Sequence, residues 1–213
     1  MPHNQRNAPE TPRLGPAYQG SNPVSDVWAA KAVEMVSKNI VRVIEKPDDG
    51  EALSQMMLAA TFAGIGFGNA GVHLPHGMSY PVSGVVRSYT PEGYPADHAT
   101  IPHGMAVVLN APSVFRFTGK VNPGRHLEAA RLMGADVASV GAENAGNALA
   151  DAVISLMKKT RMSSGQAEVG FTAQDIDRLV QGTIPQQRIT SLSPRPFTPE
   201  DLKRMFAGAM RYW

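Results

Sequence analysis

Cysteine is absent from the 213 residues. That absence excludes a disulfide framework, a Cys-ligated zinc site and a cysteine nucleophile. Aromatic residues make up only 7% and charged residues 18%. No basic stripe with interleaved aromatics occurs, which argues against nucleic-acid binding. Lys plus Arg numbers 20 against 18 for Asp plus Glu, a small excess of +2. No run of 18 apolar residues appears, and Met1 to Gly20 lacks an apolar signal core. Neither a membrane span nor a secretory signal is therefore expected, and the bacterial cytoplasm is the expected setting. No two glycines are adjacent, there is no Walker loop, and no G-x-S-x-G nucleophile elbow occurs.

What remains is a globular composition, 43% hydrophobic, in a chain long enough to bury a sizeable core. Its first 23 residues hold Pro2, Pro9, Pro12, Pro16 and Pro23 with almost no aliphatic side chains. Residues 1–22 are accordingly expected to form a Pro-rich extended arm, because such a segment buries too little surface to order itself. From residue 23 to 213 the pattern is helical. Asn22-Pro23 has the form of an N-cap with Pro in the first turn, and Ala29, Ala32, Val33, Val36, Ile40, Val43 and Ile44 follow at helical spacing. Pro47-Asp48-Asp49-Gly50 closes that helix and caps another, over which Leu53, Met56, Met57, Ala60 and Ala63 recur. Ala145–Lys159 is amphipathic, Thr172 and Asp175 have capping-box spacing with Gly182 as a stop, and Thr198-Pro199-Glu200-Asp201 opens a last helix. The sole compact apolar run, Met105–Leu109, suits strand or helix equally. The expected fold class is an all-α helical bundle.

Four of the six histidines, His73, His76, His98 and His103, fall between Ala59 and Asn110. If residues 71–84 are helical, His73, His76 and Tyr80 share one face. His76 and His103 both stand in a His-Gly-Met context, which repeats one local environment. Two readings stay open on spacing alone: a metal site built from neutral imidazoles of two helices, or ordinary polar histidines at helix ends. His73 and His98 are assigned to structural or supporting roles. Gly66-Phe67-Gly68-Asn69-Ala70-Gly71 matches G-x-G-x-x-G, with Glu92 farther on. The motif must follow a strand, however, and here it follows helix-like sequence, so these glycines are read as letting two backbones approach closely or letting the chain pass beside a ligand. The paired carboxylates all lie at helix starts, where capping explains them.

The stretch GIGFGNAGVHLPHGMSYPVSG followed by IPHG resembles the C-terminal helical half of the iron-containing alcohol dehydrogenases. Within that family it is most similar to the hydroxyacid-oxoacid transhydrogenases, a likeness shared by Pro16–Ala29 and by Val169–Arg188. The resemblance implies a divalent iron held by one Asp and three His, easing hydride transfer to or from a nicotinamide. By motif position it makes His76 and His103 two metal ligands, with Fe(2+) or Zn(2+) as the ion. It also puts Phe67, Asn69 and Tyr80 near the substrate and the nicotinamide of NAD(P). Many relatives carry His where this chain has Tyr80, so a proton relay drawn from them does not transfer.

The family's Asp-x-x-x-His ligand pair and its Gly-Gly-Gly-Ser phosphate loop have no counterpart in these residues. The resemblance therefore implies the C-terminal portion of a dehydrogenase or transhydrogenase acting on 4-hydroxybutyrate-type hydroxy acids and their oxo partners. The nucleotide-binding domain is expected to lie outside these residues, and the isolated chain is expected to be inactive. Possible partners are a second copy of the chain or a separate N-terminal half. The alternative is a stand-alone helical binding or dimerisation module with a vestigial metal site; a decaying gene product is a third.

Overall fold

The computed structural model describes residues 10–11, 18–95 and 97–213. Most of the expected Pro-rich arm lies outside the described residues. Its last described part, Tyr18 to Gly20, runs along the end of a helix, where Gln19 and Gly20 donate to the carbonyls of Asn69 and Ala70, each at 3.0 Å. The described residues form helices joined by turns, with no strand among them, in agreement with the all-α expectation.

Two long helices open the chain: α1 (Pro23–Glu45) and α2 (Gly50–Ala70). Asn22 caps α1 by accepting from the Ser25 amide, and Asp49 caps α2 by accepting from that of Ala52. The four-residue connection returns α2 along α1 as an αα-hairpin. Here the expected stripe needs correction. On α2 the buried residues are Ala52, Ala59 and Gly66, spaced by sevens, while Leu53 and Met57 face outward. A Cβ on Gly66 would lie 3.1 Å from the Ala29 amide nitrogen, so the small residues bring the two backbones together and larger side chains are left outside. Because α2 is apolar nearly all round, its periodicity did not say which face is inward.

The main core belongs to the helices that follow: α3 (Leu74–Gly84), α4 (His103–Thr118), α5 (Pro123–Leu132), α6 (Ala145–Lys159), α7 (Ile176–Thr183), α8 (Gln187–Thr190) and α9 (Pro199–Gly208). Leu74, Met78 and Val82 from α3 meet Leu109 and Val114 from α4, Leu179 and Val180 from α7, and Leu202, Met205 and Phe206 from α9. Leu74, Met78 and Val82 are four residues apart, so they project from one side of α3. Inside this core Gln166 donates to Asn110 at 2.6 Å. Met105–Leu109 lies within α4, which settles its ambiguity as helix.

Two capping boxes stand where the sequence puts them. Thr172 with Asp175 opens a short 3₁₀ turn running into α7, and Thr198 with Asp201 opens α9. Gly182 is not a stop, since α7 continues to Thr183. A Cβ there would lie 2.6 Å from the Pro81 Cβ, so the glycine serves the α3–α7 contact. No single described helix is long and apolar enough to cross a membrane. The pair α2 and α3 has the length and composition but bends by 107°.

Candidate metal and substrate site

That bend sets up the site. Gly71 ends α2 with φ +78, a left-handed geometry that L side chains rarely adopt. The Tyr18 ring and Leu192 also crowd the space a Cβ would fill. Residues 72 and 73 complete the elbow and α3 begins at Leu74. The expected helix over 71–84 is therefore three residues shorter at its start. His73 leaves the face shared by His76 and Tyr80, because its backbone lies outside the helix at φ -136, ψ -136. Its carbonyl accepts from the His76 and Gly77 amides, each at 3.0 Å.

Pro75-His76-Gly77-Met78 and Pro102-His103-Gly104-Met105 each occupy a helix start. Proline is tolerated there because first-turn amides have no partner inside the helix. The repeated local sequence thus becomes a repeated placement, one histidine in the first turn of each of two packed helices. Their rings stand 5.3 Å apart between centroids, and Tyr80 lies 5.8 Å from His103. A Cβ on Gly77 would come within 2.3 Å of the Thr190 methyl, so this glycine lets α3 settle against α8.

His76 is half-buried, whereas His103 and Tyr80 are exposed. Burial first, and the neighbouring His103 second, push the His76 imidazole down to about 4. It is therefore neutral at pH 7, the form whose lone pair binds a metal. Ser79, fully buried between the two helices, donates to the His76 carbonyl at 2.7 Å and lies 3.4 Å from His103 Nδ1. Among the described residues no third His, Asp or Glu joins the pair. Neutral imidazoles are donors that suit a first-row divalent ion, and two of them would make only part of the shell such an ion takes.

Phe67 lies on the wall of a cavity of about 640 Å³ with Asp26, His73, Arg125 and His126. His73 is pushed down to about 4, chiefly by burial, and its Nδ1 is buried with no hydrogen-bond partner among the described residues. Arg125 pairs with Asp26 and donates to Ser21 Oγ at 2.7 Å. His126 is held by the Asn122 carbonyl at 2.8 Å and Thr118 Oγ1 at 2.9 Å. The Asn69 side-chain oxygen Oδ1 accepts from Asn22 Nδ2 at 2.9 Å and from Ser25 Oγ at 3.3 Å, tying the end of α2 to the cap of α1. His98 lies in the exposed loop before α4, 2.8 Å from Asp97. Of the sequence-selected residues, the structure thus unites His76, His103 and Tyr80. It sets Phe67 with His73 on the cavity wall. Ser79 and the Arg125–His126 wall escaped the sequence reading, although Ser79, three residues after His76, lies on its helical face.

Residues 17–210 match the C-terminal region of the Fe-containing alcohol dehydrogenase family. The chain belongs to that family. The iron-containing alcohol dehydrogenase family is an oxidoreductase family, as the resemblance in the motif region implied. Among curated relatives, the mitochondrial hydroxyacid-oxoacid transhydrogenase of Xenopus laevis is 49% identical over 214 residues, covering 100% of this chain and 46% of that protein. The Homo sapiens counterpart is 48% identical with the same coverage. The chain thus spans about half the length of these relatives. Among solved structures, a 1,3-propanediol oxidoreductase superposes with TM-score 0.78 at 21% identity, over 90% of this chain and 46% of that one. A sulfoacetaldehyde reductase from Bifidobacterium kashiwanohense, solved in complex with NAD+, gives TM-score 0.71 at 25% identity, over 91% and 46%. The helical arrangement is that of the family's C-terminal region.

Proposed function

We propose that this chain forms the helical part of a metal-dependent hydride-transfer centre that interconverts small hydroxy acids and oxo acids, 4-hydroxybutyrate being the representative substrate. The observation that carries the reading is the meeting of the His76 and His103 rings at 5.3 Å, each in the first turn of its helix. The two imidazoles would hold a divalent iron, or zinc in its place, through neutral nitrogens. When bound, such an ion polarises the substrate oxygen and lowers the barrier to hydride transfer. Tyr80, exposed beside His103, lines the approach to the pair. Phe67, 54% exposed, offers a flat apolar surface for a nicotinamide or substrate chain, with Asn69 holding the end of α2 in place behind it. The remaining metal ligands and the phosphate site for NAD(P) come from a nucleotide-binding domain.

Two imidazoles hold an ion more weakly than a complete shell does. Cobalt(II), followed by its visible absorption, is the probe of choice. Binding to the 213-residue chain that is lost in both His76→Ala and His103→Ala supports the reading; binding unchanged by either substitution overturns it. NAD-dependent oxidation of 4-hydroxybutyrate by the pure chain would contradict the requirement for a further domain.

A second reading, a helical association module, draws on the outer side of α2. Met57 is 73% exposed and Ile65 47% exposed there, an apolar surface larger than an isolated residue explains. Concentration-dependent sedimentation that Met57→Glu suppresses favours this reading, as self-association of the chain. A monomer at all concentrations removes it.

A further inference from the structure

We infer that Ser79 is a positioning residue that fixes the tautomer of His103 and so leaves Nε2 of that ring free to bind metal; the metal role itself rests on the function proposed above. Ser79 is fully buried, so its hydroxyl has only protein partners. A hydroxyl carries one proton. At 2.7 Å the His76 carbonyl, which can only accept, takes that proton. The Ser79 oxygen then faces His103 Nδ1 at 3.4 Å with lone pairs alone. A contact between that oxygen and the ring is favourable when Nδ1 carries the hydrogen and repulsive when it does not. His103 thus holds its proton on Nδ1, and its other nitrogen is bare.

The next turn of α3 supports the arrangement. Ser83, four residues on, donates to the Ile101 carbonyl at 3.0 Å. One serine thereby anchors the chain entering α4, and the other orients the first ring of α4. The device matters because the histidine side chain in water prefers its hydrogen on Nε2, the tautomer that blocks ligation through that atom. Fixing one ring nitrogen in order to free the other is the usual work of groups surrounding a metal-binding histidine.

The test is nitrogen-15 NMR of the metal-free, histidine-labelled chain at a pH where His103 is neutral. In the unsubstituted protein, His103 Nδ1 should show the protonated-nitrogen shift and Nε2 the bare-nitrogen shift. Ser79→Ala should move the ring towards the Nε2-protonated form, and Ser79→Thr, which retains the hydroxyl, should restore it. Cobalt(II) affinity should drop about tenfold in Ser79→Ala and recover in Ser79→Thr. An Nε2-protonated His103 in the unsubstituted chain overturns the inference whether or not any variant folds, as does an unchanged tautomer in Ser79→Ala. If the tautomer responds while cobalt binding ignores His76→Ala and His103→Ala, the metal reading fails and the positioning of the ring stands.

Discussion

Gly182 and Gly64 are both helical glycines, yet they differ in what surrounds them. A methyl group on Gly182 meets the rigid Pro81 ring at 2.6 Å, whereas Gly64 has nothing within 4 Å. Alanine gains about 1 kcal/mol of helix propensity at either site, but overpacking costs about 1–3 kcal/mol where the neighbour cannot yield. Gly182→Ala should therefore lower the thermal midpoint and Gly64→Ala should raise it, as read by calorimetry. A raised midpoint in Gly182→Ala would mean that the Pro81 ring yields to the added methyl group. His73 makes a second prediction, in pH. Its folded value is about 4 against an ordinary 6.5, so between these values the unfolded chain takes up a proton that the folded chain refuses. Stability is then complete above 6.5, falls as the pH drops towards 4, and levels off below it. Urea midpoints measured across this window should fall less steeply in His73→Leu than in the unsubstituted chain.

At the scale of elements, the helix starts are the features most legible in the residues. Asn22, Asp49 and Thr198 each place a side-chain oxygen against an amide that the helix cannot satisfy. Such signals are local and survive without knowledge of the fold. Thr198→Ala should cost about 1 kcal/mol, visible as a lower urea midpoint with an unchanged slope, because α9 carries Leu202, Met205 and Phe206 into the core. An unaltered midpoint would mean that packing alone holds the helix start. Where the sequence reading went astray, the cause lay outside the element. The inward face of α2 was obscured by its apolar outer face, and Gly182 as a stop ignored Pro81 across the interface. The start of α3 shifted because the left-handed Gly71 and its Tyr18 contact end the preceding helix first.

In the whole molecule, the α1–α2 hairpin stands apart from the main core, which draws its buried residues from Leu74 onward. The hairpin joins the remainder through packing of α1 on α5 and the Asp26–Arg125 pair. Segments with fewer buried apolar contacts open at lower free energy. Hydrogen exchange by mass spectrometry should show amides of 26–68 exchanging faster than those of 74–84 and 103–118. Equal protection in both regions would make the hairpin part of a single cooperative unit. The helices that carry His76 and His103 are central: α3 packs on α4, α7 and α8, and α4 on α3, α6 and α9. The proposed metal site would benefit from that rigidity, since small displacements of either ring alter ligand geometry.

The residues alone were enough for the helical class, the starts of α1, α2 and α9, both ends of α6, the shared His-Gly-Met context of His76 and His103, and the family. These depend on periodicity, on caps and on a compact motif, all of which are written within a few positions of one another. The placement of His73 on a cavity wall, the small-residue face of α2 and the contact of Ser79 with His103 had to await the packed molecule. Each depends on which surfaces meet between elements distant in the chain. Close packing selects those surfaces by shape and buried polar pairing, and neither quantity has a period that a linear sequence displays.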